Sequence, residues 1–234
     1  GHWFMVVNAS NQVKLQTWLR TQCPDLTLTI CNAHDGLIAW QGPDVTQLVD
    51  LGKLRPWTHE QQTIFGHSVR VMRTGYTGED GVEIWAKHAA IQAIWDALMA
   101  LNVVPCGLGA RDTLRIEAGL PLYGQELDET ITPYQTRYRR LVKTHAFIGS
   151  DALQAVNPTE TTMVGLVITG GAIARTGAEI LGGGMVTSGT RVDHRSIAMA
   201  RVPSAQAQQA ELQVCIRGRQ HTAMVVPLPF LTHA

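Results

Sequence analysis

Residues 73–84 read RTGYTGEDGVEI, with three glycines in seven residues between two strand-like runs. Glycine lets a backbone approach a ligand closely or adopt a positive φ. After this turn, Glu83 lies between Val82 and Ile84, so strand alternation points its side chain away from the face that the two apolar side chains share. Such a carboxylate is a surface group if its face meets solvent, and it needs a specific donor if that face is covered. The pattern leaves both interpretations open.

A second polar motif, at residues 105–119, reads PCGLGARDTLRIEAG and predicts a helix that Gly119 ends in the C′ position. It is not a dinucleotide fingerprint, because Asp112 stands where the third glycine of G-x-G-x-x-G would be. Asp112 can pair with Arg115 at i,i+3, which is typical of a solvated helix face. Arg111, however, falls in the first turn, where the helix dipole favours acids. Its planar guanidinium would suit a carboxylate or heteroaromatic ligand.

The remaining pattern is that of an α+β protein. Alternating or β-branched runs predict strands and amphipathic runs predict helices. We expect strands at 3–7, 26–30, 36–43 and 67–73, and helices at 12–20, 45–51 and 89–101. From residue 161 onward, short β-like runs are separated by Gly, Pro and Ser, which predicts a small all-β module. The polar, proline-containing stretch 157–160 is typical of a linker.

The composition excludes several classes of protein. The 234 residues are 45% hydrophobic and carry 19 basic and 19 acidic side chains, so neither disorder nor a dedicated nucleic-acid binder or polybasic membrane anchor is expected. No apolar run approaches the length that crosses a bilayer. The four cysteines form no C-x-x-C pair and the nine histidines form no H-x-x-H pair, so the sequence supports neither a metal site nor covalent catalysis.

A third motif, at residues 122–130, reads LYGQELDET. In this order, the three motifs closely resemble those of the glycine cleavage system T-proteins, which are tetrahydrofolate-dependent aminomethyltransferases. The similarity extends to VVN at 6–8, FIG at 147–149 and VTSG at 186–189. It therefore covers essentially the whole chain.

The resemblance implies an α+β fold that is part of the T-protein cloverleaf. A mixed α/β folate-binding core would be followed by a small C-terminal all-β, barrel-like domain. We expect residues 1–42 to be the remainder of a ferredoxin-like α+β domain, 43–156 to form the α/β folate-binding domain, and 161–234 to form the C-terminal β-barrel domain.

The resemblance also implies the reaction and its participants. Tetrahydrofolate would bind in a central channel, and the aminomethyl group would arrive on the lipoyl arm of the H-protein. The products would be ammonia and 5,10-methylenetetrahydrofolate. We thus expect lipoylated H-protein and folate as partners, with no nucleic acid and no membrane, and a bacterial cytoplasmic location in preference to the mitochondrial matrix.

Candidate binding residues follow from the motifs that carry the resemblance. Glu83 would be the carboxylate that accepts hydrogen bonds from the pterin amino and ring N–H groups, since an acidic side chain makes two parallel bonds with such an edge. Arg111 would be the folate-binding guanidinium. The same motifs place Tyr76, Glu79 and Tyr123 at the pocket, and Asn8 on its other wall.

Two departures from the family pattern limit this transfer. The N-terminal quarter to third of the family's chain is absent from this sequence, and it carries the aspartate that is assigned to orienting the folate nitrogen. We therefore name no catalytic residue and expect a fragment without that aspartate. In addition, Arg137, Arg139 and Arg140 stand where family members mostly have small and apolar residues, which would alter the channel or the H-protein face.

Two alternatives share the fold. The chain could be the folate-binding half of a dimethylglycine or sarcosine oxidoreductase, which would require a flavin-binding domain upstream. It could also be a non-catalytic folate-binding module of the kind linked to iron–sulfur cluster maintenance. That branch carries a Lys-Gly-Cys-Tyr signature, whereas residues 74–79 here read TGYTGE and contain no cysteine.

Overall fold

The structure, a computed structural model, describes residues 3–31, 34–48, 54–156 and 160–231. The contacts within the chain divide it into two compact units. Unit 1 contains the residues up to Thr74 together with Gly81–Val103, and unit 2 contains Gly75–Asp80 together with the residues from Val104 onward. The domain boundaries predicted at 1–42, 43–156 and 161–234 stay a prediction.

Unit 1 is an antiparallel sheet with helices. Its helices are α1 (Gln12–Gln22), α2 (Val45–Leu48) and α3 (His88–Ala100), and its strands are β1 (Asp35–Gln41), β2 (His59–Ile64), β3 (His67–Met72) and β4 (Gly81–Lys87). Among the described residues, the strand order is β1-β4-β3-β2, so β4 is paired on both sides.

The core of unit 1 lies between one face of this sheet and α3. Val82 and Ile84 of β4 are buried there with Ile94 and Leu98 of α3. Glu83 points to the opposite face and is half-buried. The alternation predicted from the sequence is confirmed, and the carboxylate is neither fully solvated nor fully enclosed.

Over the described ranges, unit 2 combines helices with a five-stranded antiparallel sheet. It contains α4 (Leu108–Glu117), α5 (Ser150–Ala155) and strands β5 (Thr161–Ile168), β6 (Met185–Val192), β7 (Arg195–Pro203), β8 (Glu211–Ile216) and β9 (Arg219–Val226). In the described part of the chain these strands form one antiparallel sheet in the order β6-β7-β5-β9-β8. The predicted all-β C-terminal module is confirmed.

Two predicted strands need correction, and one strand was not predicted. The strands predicted at 3–7 and 26–30 are wrong, because neither run pairs with another described segment and a strand exists only as part of a hydrogen-bonded ladder. Conversely, the polar sequence HEQQTI of β2 was not predicted as a strand, since it has no apolar alternation. It forms because β3 supplies its hydrogen-bonding partner across the tight turn at Phe65 and Gly66.

Candidate functional site

In unit 1, the central strand β4 presents Glu83 between two neighbouring strands. Glu83 lies opposite Ala39 of β1 and Met72 of β3 in the register. Its Oε2 accepts a hydrogen bond of 2.5 Å from the Thr74 hydroxyl. Its Oε1 has no donor within the part of the chain that the structure describes. One carboxylate oxygen is therefore held by the protein and the other retains its accepting capacity.

The partner of Glu83 is itself fixed by the end of strand β1. The Gln41 Nε2 donates to the Thr74 carbonyl at 3.1 Å and to the Val82 carbonyl at 2.9 Å. Gln41 reaches both because its register partner on β4 is Gly81. A Cβ atom at Gly81 would lie 2.6 Å from the Trp40 carbonyl oxygen and 2.7 Å from the Gln41 Cα, so only glycine permits this approach.

Unit 2 contains a cavity of about 480 Å³ beside the first turns of α4. Its walls also come from the segment 122–125, the loop at 175–176 and strand β6. The lining residues are Tyr76, Leu108, Arg111, Asp112, Arg115, Leu122, Gln125, Arg175, Thr176, Ser188 and Gly189. The volume lies within the range of pockets that hold small molecules.

Tyr76 and Arg111 form one wall of this cavity together. The Arg111 guanidinium carbon lies 4.8 Å from the centre of the Tyr76 ring, a cation–π distance. The Tyr76 hydroxyl donates to the Pro121 carbonyl at 2.5 Å. Burial raises the pKa of Tyr76 to about 12, with the charges of Tyr138 and Glu126 adding to the effect and those of Arg115 and Arg111 opposing it. The phenol is therefore neutral at physiological pH.

Arg115 lies one helical turn after Arg111 but has a different environment. It is 2% exposed, and its Nη1 donates to Glu126 Oε2 at 2.8 Å while its Nη2 donates to the Ser188 hydroxyl at 2.6 Å. Its Nε donates to Asp112 Oδ1 at 2.8 Å. The predicted pairing of Asp112 with Arg115 is confirmed, but the solvated face expected for Arg115 is wrong, because Glu126 compensates its buried charge.

Two exposed arginines, Arg111 and Arg175, give one wall of the cavity a positive charge. Glu126 is as buried as Arg115, and it also accepts the Leu122 N–H at 3.0 Å. With Arg115 paired in this way, the exposed cations among the lining residues are Arg111 and Arg175. Arg175 gives one donor to the Gly189 carbonyl at 3.3 Å. The remaining guanidinium donors suit an anionic or carbonyl-bearing ligand.

Comparisons with known proteins agree along the whole chain. Residues 1–146 match the family model described as "GCVT N-terminal domain", and residues 162–231 match the "Glycine cleavage T-protein C-terminal barrel domain". The chain belongs to the glycine cleavage T-protein family.

Its relatives in this family are enzymes named aminomethyltransferase. Those of Staphylococcus epidermidis and Deinococcus deserti are 40% and 39% identical to it over 97% and 98% of the chain, and the matches cover 68% of each relative. The crystal structure of the glycine cleavage system aminomethyltransferase T from Bartonella henselae superposes with a TM-score of 0.84 at 28% identity, over 96% of this chain and 67% of that one. The predicted family, fold class and enzyme class are confirmed.

The six predicted binding residues divide between the two units. In unit 1, Glu83 lies on the sheet, and Asn8 is exposed just before the 3₁₀ turn that leads into α1. In unit 2, Tyr76 and Arg111 are brought together at the cavity, whereas the exposed Glu79 and the half-buried Tyr123 are not among its lining residues. Their roles as folate ligands stay predictions.

Several residues of these sites were not predicted from the sequence. They are Thr74, Glu126, Arg175 and Ser188. Thr74, Glu126 and Ser188 lie in stretches that carry the resemblance, but none was assigned a role, and Arg175 lies outside all of them. In the described residues, no group of three His, Cys, Asp or Glu side chains is placed to hold a metal ion. Across the same residues, every helix is too short or too polar to cross a bilayer.

Proposed function

We propose that this T-protein acts as a tetrahydrofolate-dependent aminomethyltransferase of the glycine cleavage system. It would transfer the aminomethyl carbon from the lipoyl group of the H-protein to tetrahydrofolate with release of ammonia. The observation that carries the proposal is the half-buried Glu83 carboxylate, which has one oxygen bonded to Thr74 and the other without a donor from the described residues.

The chemistry of Glu83 fits a pterin. The 2-amino-4-oxopyrimidine edge offers two parallel N–H donors, and a carboxylate that is held in one orientation accepts both. Because Oε2 already accepts from Thr74 in the sheet, rotation of the carboxylate is restricted before any ligand binds. Pre-organised acceptors bind more tightly since less freedom is lost on binding.

The cavity of unit 2 fits a ligand with an aromatic body and a negative charge. We propose that Arg111 binds folate, held in place by the ring of Tyr76. Arg115 is excluded from direct contact because its donors are engaged by Asp112, Glu126 and Ser188. When bound, tetrahydrofolate supplies the nitrogen nucleophiles that take up the one-carbon unit, and the residues named here bind and orient it.

The other participants rest on the family resemblance. We propose that Tyr76, Glu79, Tyr123 and Asn8 make further folate contacts. Lipoylated H-protein is proposed as the donor partner, and the bacterial relatives favour a cytoplasmic location. Relatives that are named aminomethyltransferase support the transfer reaction itself.

Replacement of Glu83 tests the proposal. In Glu83→Ala we expect the affinity for tetrahydrofolate to fall by about 2–4 kcal/mol, because two ligand N–H groups lose a charged acceptor. Glu129→Ala is the control, since this exposed acid lies outside the cavity lining, and we expect a change of a few tenths of a kcal/mol at most. Isothermal titration under reducing conditions measures both. Comparable dissociation constants for the two variants would contradict the assignment of Glu83.

A further inference from the structure

We propose that Thr74 is a positioning residue for folate selection: its hydroxyl fixes the Glu83 carboxylate in the orientation that reads the 2-amino group of the pterin. The proposal rests on the proposed function, in that it takes Glu83 as the acceptor of the pterin edge. It assigns to Thr74 no contact with the ligand.

The side chains of Thr74 and Glu83 are in direct contact. The Thr74 Oγ1 donates to Glu83 Oε2 at 2.5 Å, which is within the range of charge-assisted O–H···O⁻ bonds. Glu83 is half-buried on β4, where its neighbours Ala39 and Met72 offer no side-chain donor. Among the described residues, the side-chain hydrogen bond to Glu83 comes from Thr74, so this hydroxyl sets the orientation of the carboxylate plane.

Thr74 is itself held by hydrogen bonds to its own carbonyl and to the preceding residue. Its carbonyl accepts from Gln41 Nε2 at 3.1 Å. The preceding residue, Arg73, donates its N–H to the Thr58 carbonyl, accepts the Trp57 N–H and donates its Nη1 to the Leu54 carbonyl, at 2.9–3.0 Å each. The hydroxyl is thus attached to a backbone that is fixed by several hydrogen bonds, as a positioning group requires.

Without the Thr74 hydroxyl, the Glu83 carboxylate would lose its fixed orientation. A carboxylate that rotates freely still attracts cations and N–H groups, but it no longer presents two oxygens in the plane of a paired donor edge. The loss therefore falls on ligands that offer both N–H donors. A ligand with one donor removed loses little, so the signature of positioning is reduced selectivity rather than a uniform reduction in affinity.

The test compares two ligands, tetrahydrofolate and 2-desamino-2-methyltetrahydrofolate, by isothermal titration of the full chain. In Thr74→Val we expect the affinity for tetrahydrofolate to fall about tenfold and the affinity for the desamino analogue to change less than about twofold. Thr74→Ser restores the hydroxyl and should keep both affinities within about threefold of the original protein. Thr63→Val, an exposed threonine of β2 in the same sheet, should leave both affinities unchanged.

A double-mutant cycle separates this proposal from the assignment of Glu83. If the hydroxyl acts through Glu83, adding Thr74→Val to Glu83→Ala should weaken tetrahydrofolate binding by less than about twofold, because alanine has no side-chain acceptor for Thr74. Thr74→Ala removes the same hydroxyl without a branched side chain, and thermal unfolding of each variant identifies any that fails to fold. An equal loss for both ligands, or no loss with tetrahydrofolate while Glu83→Ala is impaired, would overturn the positioning role. Unchanged binding in Glu83→Ala would instead refute the proposed function.

Discussion

Arg115 and Glu126 of unit 2 form a buried ion pair. Arg115 and Glu126 are each 2% exposed, and their charges compensate each other at 2.8 Å. Removing one partner of such a pair typically costs about 3–5 kcal/mol, because the other charge stays buried. Arg111, one turn earlier, is not part of this pair and lies exposed at the cavity.

Tyr76 gives a prediction about the dependence of stability on pH. Burial raises its pKa to about 12 from an ordinary value of 10, so the folded state holds this proton more tightly than the unfolded state. Its contribution to the free energy of unfolding is complete below pH 10 and is lost as the pH rises through 12. We expect the stability difference between the original protein and Tyr76→Phe to narrow over this interval, in urea titrations from pH 8.5 to 11.5.

Tyr138 has to be controlled for in the same titrations. Burial also raises the pKa of Tyr138, and its charge acts on Tyr76, so the comparison is repeated in a Tyr138→Phe background, where the contribution of Tyr76 stands by itself. A difference that stays constant up to the highest pH would contradict a raised pKa of Tyr76, because ionisation would also remove the proton that the phenol donates to the Pro121 carbonyl.

Residue-level prediction from the sequence succeeded where the determinant is local. The outward direction of Glu83 follows from strand alternation, and the pairing of Asp112 with Arg115 follows from helical spacing. The partners Glu126 and Ser188 lie 11 and 73 positions from Arg115. No local pattern encodes such contacts, so the burial of Arg115 could not be predicted.

At the level of elements, α4 depends on how it ends. The Gly119 N–H donates to the Ile116 carbonyl and the Leu120 N–H donates to the Arg115 carbonyl, both at 2.8 Å, which is a Schellman motif. Gly119 has φ +61°, the left-handed conformation that this motif requires. The predicted C′ glycine is confirmed, and the turn places the Leu120 carbonyl where Arg115 Nη1 contacts it.

Two glycines of the same helix should respond in opposite ways to alanine. Gly119→Ala should lower the free energy of unfolding by about 1–2 kcal/mol or more, because of the positive φ and because a Cβ would lie 3.1 Å from Leu228 Cβ. Gly109 lies inside α4, and a Cβ atom there would meet open space. Gly109→Ala should therefore raise the free energy of unfolding by about 0.5–1 kcal/mol. Urea unfolding of the ligand-free protein measures both, and a loss in Gly109→Ala as large as that in Gly119→Ala would contradict this account.

Element prediction failed where strand formation depends on a partner. The runs at 3–7 and 26–30 have strand composition but no ladder, whereas the polar β2 is a strand because β3 lies beside it. Helices α1 and α3 were predicted within two residues at each end, since their hydrogen bonds are internal to the segment. Sequence patterns therefore predict helices, whose hydrogen bonds are local, better than strands, whose hydrogen bonds need a distant partner.

For the whole molecule, the division into units depends on contacts that cross long stretches of chain. Gly75–Asp80 belongs to unit 2 although the residues on either side belong to unit 1. Within unit 2, a Cβ at Gly78 would lie 2.6 Å from Ala118 Cβ, and Tyr76 is bonded to Pro121. Boundaries predicted from composition cannot show that this short segment belongs to the other unit, because the polar turn is continuous in sequence with the strands around it.

Protection against amide exchange should vary strongly along the chain. In residues 3–31 only Asn11 is buried and no residue of α1 is, so little apolar contact opposes local opening. Strand β7 is paired on both sides, and six of its nine residues are buried. We expect exchange within β7 to be about a thousandfold slower than within α1, which corresponds to a difference of about 4 kcal/mol in opening free energy. Peptide-resolved mass spectrometry measures both segments in one experiment.

Strand β4 is the control that shows whether the exchange rate depends on burial or on the unit to which a segment belongs. It lies in unit 1, as α1 does, but it is hydrogen-bonded on both sides and carries Val82 and Ile84 in the core. If burial and pairing determine protection, β4 should exchange as slowly as β7 to within about tenfold, and far more slowly than α1. Equal rates in β4 and α1 would mean that unit 1 opens as a whole, and that the strand pairing around Glu83 is no better protected than the exposed helix α1.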